Sequence, residues 1–385
     1  MRYILYIVFI PILVAWYFLP IMHSLPAPTG KYNVATHYID ITIPAEKTNF
    51  TARTLPVQIW YPTKAQNSNF EHYGTHIITT LVKNLSLYTY IPEQIIKPFF
   101  DIQTHTYKNN LTLSGISNCP ILIFSHGFGA HPQLYTSYVQ EWTSHGYVVV
   151  GITHTGGSFP TRAPDGTVQT ITDQITDTPS AYQALARWQE DINLVINYII
   201  KSKNMNSGPF KELYDIDKIG CIGHSFGGIA ALACSRSNAH IKAIVNLDGA
   251  LGFDPHSGNR LIVPTLFLLQ DYARPSFLKT RLAASTIQPH EYLATKLASF
   301  TNLCANTQVP CWTIAIKDSG HDSLSDLILL KYPLSFILNV DIGTRNRIQS
   351  FRLINTYVLD FFNTYLKYQE PKLFNTLEQG QINTL

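Results

Sequence analysis

The feature that most constrains this chain is the stretch Gly223-His224-Ser225-Phe226-Gly227-Gly228, set between two apolar runs. Residues 219–222 (IGCI) have the length and composition of a short buried strand, and residues 229–234 (IAALAC) continue as a helix. A strand that becomes a helix within so few residues passes through a sharp, strained turn, where bulky neighbours collide and glycines do not. The pattern is a G-x-S-x-G elbow, with the serine exposed at its apex. Such a turn needs a sheet on one side and a helix on the other.

The flanking sequence supplies both. Residues 120–124, 148–152, 243–247, 265–269 and 312–316 are further short apolar runs bounded by turn residues, as in buried parallel strands. Amphipathic helices are predicted through residues 184–198 and 354–368. Strand and helix in alternation imply an α/β fold, with a mostly parallel central sheet covered by helices on both faces. Two alternating runs, 37–43 and 55–62, read as an antiparallel pair leading into it. Residues 70–107 break the pattern with helical spacing of Ile77, Ile78, Leu81, Val82 and Leu85. They are read as a helical insertion, either a cap over the core motifs or an ordinary packed helix pair. The fold is expected as one domain over residues 33–385.

Residues 3–22 form an uncharged apolar stretch after Met1-Arg2, interrupted by Pro11 and Pro20. About 20 residues at helical rise match a bilayer core of roughly 30 Å. Residues 1–24 are therefore expected to be a signal anchor or a signal peptide, followed by a linker over 25–32. Arg2 sets the orientation, with the remainder periplasmic or extracellular. The net charge of +3 and the absence of a basic run exclude the usual nucleic-acid partner. Charged residues at 14% against 12% aromatics lean toward an apolar substrate or a membrane neighbourhood. Cys304 and Cys311 flank a short polar segment suited to a small disulfide loop, whereas Cys221 and Cys234 fall on buried elements. No His/Cys spacing suggests a metal, and no cofactor is expected.

A serine hydroxyl needs a base to take its proton, and the base needs an orienting acid; on an α/β-hydrolase fold these follow in the order Ser, Asp/Glu, His. His321 follows the last core strand in Asp318-Ser319-Gly320-His321 and is the expected base. Two aspartates end the strands between them, Asp248 and Asp271, and pattern alone does not separate them. The oxyanion hole is expected from the backbone N–H of Phe226, next to the serine, and from that of Phe128 in the glycine-flanked turn 124–129. His126, beside Phe128, is read as a brace for that turn.

These motifs resemble the plasma-type, isoform II platelet-activating factor acetylhydrolases and their bacterial relatives. The likeness runs through LPVQIWYP (55–62), FSHGFGA (124–130), SHGYVVVGITHTGGS (144–158), GHSFGG (223–228), NLDG (246–249), SGH (319–321) and INTYVLDFFNTYLK (354–367). It implies Asp248 as the acid, because in that family the acid follows the strand after the nucleophile helix. A cutinase-like pattern would place the acid at Ala273, which cannot serve. The resemblance implies calcium-independent hydrolysis of phospholipid or simpler carboxylic esters with short or oxidised acyl groups. The chain departs most from it at 70–107 and 322–339, two segments that could line the acyl pocket. The alternatives in view are a long-chain lipase or acyltransferase, and a catalytically silent membrane-anchored binding protein.

Overall fold

The structure is a computed structural model that describes residues 20–385 except 65–68, 91, 109–114, 163–167, 206–211, 257–259, 284–285, 333 and 380. The membrane-segment expectation for residues 1–24 thus lies mostly outside the described residues. Among those described, no helix is long and apolar enough to cross a membrane.

The strands are β1 (Asn33–Ile43), β2 (Arg53–Thr63), β3 (Phe70–His72), β4 (Gln103–Lys108), β5 (Cys119–Ser125), β6 (Val148–Ile152), β7 (Thr161–Arg162), β8 (Val168–Gln169), β9 (Tyr214–His224), β10 (Ile241–Leu247), β11 (Thr265–Leu269), β12 (Cys311–Ala315) and β13 (Ile382–Thr384). β7 and β8 pair as a separate ribbon; the others form one sheet in the order β13-β12-β11-β10-β9-β5-β6-β2-β1-β4-β3. Every pairing from β6 to β13 is parallel, while β2 joins β6 and β1 antiparallel.

Both faces of the sheet are covered, and the period of two in the strands shows how. Ile121, Ile123, Val148 and Val150 pack on one side with Trp188, Ile192, Val195 and Ile199 of helix Thr178–Asn204 and with helix Phe226–Ser235. Leu122, Phe124 and Val149 pack on the other with Tyr138 and Trp142 of helix Thr136–Ser144 and Phe361 and Phe362 of helix Arg347–Lys367. Strands buried on both sides leave no room for polar alternation, which is why these segments read as continuous apolar runs.

The 70–107 insertion is built around the sheet's edge. β4 pairs parallel to β1 and β3 pairs antiparallel to β4, with helix Thr75–Thr89 between them. The expected linker is docked on the body of the protein. Thr29 N–H donates to Glu141 at 2.8 Å and Gly30 N–H to Ser144 Oγ at 2.9 Å. Just upstream, Met22 and Leu330 form a β-bridge, and Met22 and Leu25 are buried with Ile328 and Leu329. Cys304 and Cys311 are joined in a disulfide, and Cys119, Cys221 and Cys234 are free and buried.

A Cβ at Gly30 would overlap the Ser144 carbonyl. Gly30→Ala is expected to lose about 1–3 kcal/mol by overpacking, read as a lower urea midpoint with an unchanged slope. An unaltered midpoint would contradict this close docking.

Candidate active site

The strand-to-helix elbow is formed as its glycines require. Ser225 sits between β9 and helix Phe226–Ser235 with φ 53° and ψ −122°, a conformation side chains rarely adopt. It is held there by a hydrogen bond from Ser225 N–H to the Leu247 carbonyl of β10, 2.8 Å. A Cβ on Gly223 would overlap the Gly227 carbonyl, and one on Gly227 would overlap the Ser125 and His126 carbonyls. Only glycine fits at either position.

The structure separates the two candidate acids. Asp248, just past β10, is fully buried, and its Oδ2 lies 2.5 Å from His321 Nδ1. It also accepts from Tyr272 Oη–H at 2.6 Å, Gln270 Nε2 at 2.8 Å and Gln270 N–H at 3.2 Å. Asp271 is occupied elsewhere: its oxygens accept from the Ala273 and Asp318 N–H groups, each at 2.9 Å. It braces the turn that carries His321 without meeting the ring. Burial opposes the Asp248 charge, but the hydrogen bond and charge of His321, with Tyr272 and Gln270, hold its carboxyl below the usual range. Burial pulls His321 down, and the bond and charge of Asp248, then Asp322 and Asp341, outweigh it and raise the imidazole above its usual value.

His224, inside the elbow, has a different place. Its Nε2–H donates to the His321 carbonyl at 3.1 Å, and its Nδ1 accepts from Tyr135 Oη–H at 2.8 Å. The same Tyr135 oxygen accepts Gly127 N–H at 3.2 Å. Burial, then the nearby His321, push the His224 pKa down to about 3, so it is a neutral crosspiece. It ties the 125–129 turn to the loop of His321.

That turn lies against the serine: a Cβ on Gly127 would stand 3.4 Å from Ser225 Cβ. Gly129 and Ala130 donate their N–H groups to the Gly157 and Gly127 carbonyls. The N–H groups of Phe128 and Phe226 have no protein acceptor among the described residues, and the two rings meet edge to face at 6.0 Å. Below the turn runs a buried relay not anticipated from sequence. Ser125 Oγ lies 2.9 Å from His154 Nε2, His154 Nδ1 lies 2.9 Å from Asp191 Oδ2, and Arg53 grips Asp191 Oδ1 through Nε at 2.9 Å and Nη2 at 2.6 Å. His154 stacks on Trp188 at 4.0 Å, and its backbone N–H reaches His126 Nε2 at 3.3 Å. His126 thus has the bracing place expected of it.

Ser225, His321, Asp248, Phe128 and Phe226 all border one cavity of about 350 Å³. Its outer wall consists of Tyr272, Phe277, Arg281, Tyr292 and Lys296, with Ile175 and Ile229. Among the described residues, none that lines it comes from 70–107 or 322–339, the segments read as able to line the acyl pocket. The first closes the far sheet edge, and the wall comes instead from helices Pro275–Arg281 and Pro289–Ala305, between β11 and β12. Among the described residues no His/Cys/Asp/Glu group is arranged to hold a metal.

The fold and the elbow define an α/β-hydrolase-type protein. A solved ferulic acid esterase from Streptomyces cinnamoneus superposes with a TM-score of 0.69 over 92% of this chain and 96% of its own, at 18% identity, a likeness of fold. The family model for platelet-activating factor acetylhydrolase, isoform II, matches residues 21–163. A probable 1-alkyl-2-acetylglycerophosphocholine esterase of Arthroderma benhamiae is 29% identical over 35% of this chain and 32% of its own. The platelet-activating factor acetylhydrolase of Cavia porcellus is 22% identical over 65% of this chain and 61% of its own. The matches thus span from about a third to three fifths of those relatives' lengths. The chain thus resembles the isoform II platelet-activating factor acetylhydrolases over part of its length.

Asp248→Asn is expected to lower the His321 pKa, because the charge that raises it is gone. Asp271→Asn should leave that pKa nearly unmoved. NMR titration of the His321 ring in both variants measures the difference; equal shifts would refute the separation of the two acids.

Proposed function

We propose that this protein is a serine carboxylic-ester hydrolase working through an acyl-enzyme, with Ser225 as nucleophile, His321 as base and Asp248 as the orienting acid. The observation that carries this reading is the convergence on one cavity of a strained, glycine-flanked serine and a histidine whose other nitrogen meets a buried carboxylate. His321 Nε2 takes the Ser225 Oγ proton as the oxygen attacks the ester carbonyl. The negative oxygen is received by the Phe128 and Phe226 N–H groups. His321 then protonates the leaving alcohol, and water, deprotonated by the same ring, releases the acid and restores the serine. Asp248 fixes the tautomer with Nδ1 protonated and stabilises the imidazolium.

The substrates proposed are short-chain or oxidised phospholipid esters, or small carboxylic esters. The printed activity of the relatives, hydrolysis of an acetylated glycerophosphocholine, supports the first. The cavity of about 350 Å³ opens beside Ser225 and has room for an ester of small-molecule size. The Cys304–Cys311 bond supports a place outside the cytoplasm. Membrane association through residues 1–24 stays part of the proposal.

A series of p-nitrophenyl esters from two to sixteen carbons, without calcium, tests the reading. Wild-type turnover should peak at short chains, and Ser225→Ala should lower kcat by about 10⁴- to 10⁶-fold. Normal turnover in Ser225→Ala would end the assignment, and a long-chain peak would favour a lipase. The base acts only when unprotonated, so activity should rise with pH through a limb set by the raised His321 pKa. In Asp248→Asn that limb should move to lower pH while kcat falls about 10³- to 10⁴-fold.

A further inference from the structure

The cavity beside Ser225 carries two positive charges that the proposed chemistry does not use. Lys296 is half-buried on helix Pro289–Ala305, and Arg281 ends helix Pro275–Arg281; both line the cavity. Neither has a carboxylate partner among the described residues. The one acid lining the cavity among the described residues, Asp248, is already engaged by His321, Tyr272 and Gln270. The Lys296 ammonium lies 5.1 Å from the centre of the Tyr272 ring, a cation–π contact that leaves its hydrogen-bond donors unspent. Most of the remaining wall is apolar or aromatic, including Phe128, Phe226, Ile229 and Phe277.

For the half-buried Lys296 such a setting is costly unless an anion meets it, while Arg281 is exposed and lends its charge from the cavity's lining. Burial pulls the Lys296 pKa down; the Asp248 charge opposes this and Arg281 adds to it. Resting on the ester-hydrolase reading, we propose that the ester taken by this cavity carries an anionic group, carboxylate or phosphate, which Lys296 and Arg281 bind while the carbonyl lies at Ser225. That group sits on either the acyl or the alcohol half of the ester. The outer wall then selects the substrate by charge as well as by size.

Two isosteric pairs of esters decide this, with turnover by the full-length protein followed in a pH-stat. On the acyl side the pair is monomethyl succinate against methyl 4-methylpentanoate, where an isopropyl group replaces the carboxylate. On the alcohol side it is 2-acetoxyethyl phosphate against 2-tert-butoxyethyl acetate. In at least one pair the anion should win in kcat/KM by about 10- to 100-fold, the range of a charge-assisted contact. The winning pair tells which half carries the charge. Lys296→Met should reduce that ratio about tenfold, Lys296→Arg should keep most of it, and 0.5 M salt should weaken it in the wild type.

If the neutral ester matches or beats the anion in both pairs in the wild type, the inference falls while the hydrolase reading stands. An anion preference that survives Lys296→Met and Arg281→Ala would place the recognition elsewhere and overturn it equally. No Ser225-dependent turnover of any of the four esters would bring down the hydrolase reading and this inference with it. The wild-type comparison does not depend on either variant folding.

Discussion

The rest of the site depends on one strained residue, Ser225, held at φ 53° between a strand and a helix. Such a backbone persists only when its surroundings over-determine it. Here the Leu247 carbonyl of β10 holds its N–H, and the Ser125 and His126 carbonyls press against Gly227 from the other side. The serine is therefore fixed by both strands that neighbour β9. The same contacts bring the 125–129 turn within reach of the serine and place Asp248 one residue beyond the carbonyl that anchors it. A parallel sheet makes this possible, because all its strands deliver their carboxyl ends to one edge.

Two polar connections keep the loops at that edge in register. His224 runs from Tyr135, and through it Gly127, to the carbonyl of His321, joining the 125–129 turn to the His321 loop without a hydrogen bond to the serine. Its strongly lowered pKa suits a fixed neutral link and argues against a second base. The Arg53–Asp191–His154–Ser125 relay does the same from beneath, connecting β2 and helix Thr178–Asn204 to the end of β5. Burying an ion pair is tolerable when every lone pair finds a donor. Asp191 nearly meets that condition, with Arg53 on one oxygen and His154 on the other.

What was legible in the sequence was local. The elbow declares itself because glycine is required by backbone overlap within a few residues, and the strands because double-sided burial leaves them apolar throughout. His321 could be put forward because it follows the last of the apolar strand runs, and the structure sets its ring against Asp248. Asp248 and Asp271 could not be told apart from pattern, since both end parallel strands. Which one meets His321 depends on the direction of each side chain, and Asp271 is turned away by two backbone N–H groups. The relay was invisible for a related reason, since Arg53, Ser125, His154 and Asp191 come from four separate elements. The described lining of the cavity comes from neither 70–107 nor 322–339, the segments the sequence offered for it. An insertion with helical periodicity signals that it buries an apolar face, but not against which edge of the sheet it does so.

The division of labour that results is a physical one. The residues assigned to chemistry sit on the elbow and on the turns that follow the strands' carboxyl ends, and the core holds those strands on both sides. Much of the outer wall rides on helices Pro275–Arg281 and Pro289–Ala305, where only Phe300, Leu303 and Cys304 of the second are buried and none of the first. Substitutions there can change what enters without unseating the serine. Tyr272 is the exception, because its hydroxyl donates to Asp248 while its ring lies against the Lys296 ammonium. A change in the charge near that ring therefore reaches Asp248 through one hydrogen bond. The wall and Asp248 are separable in position but coupled in electrostatics, through Tyr272 and through the Asp248 charge that Lys296 feels directly.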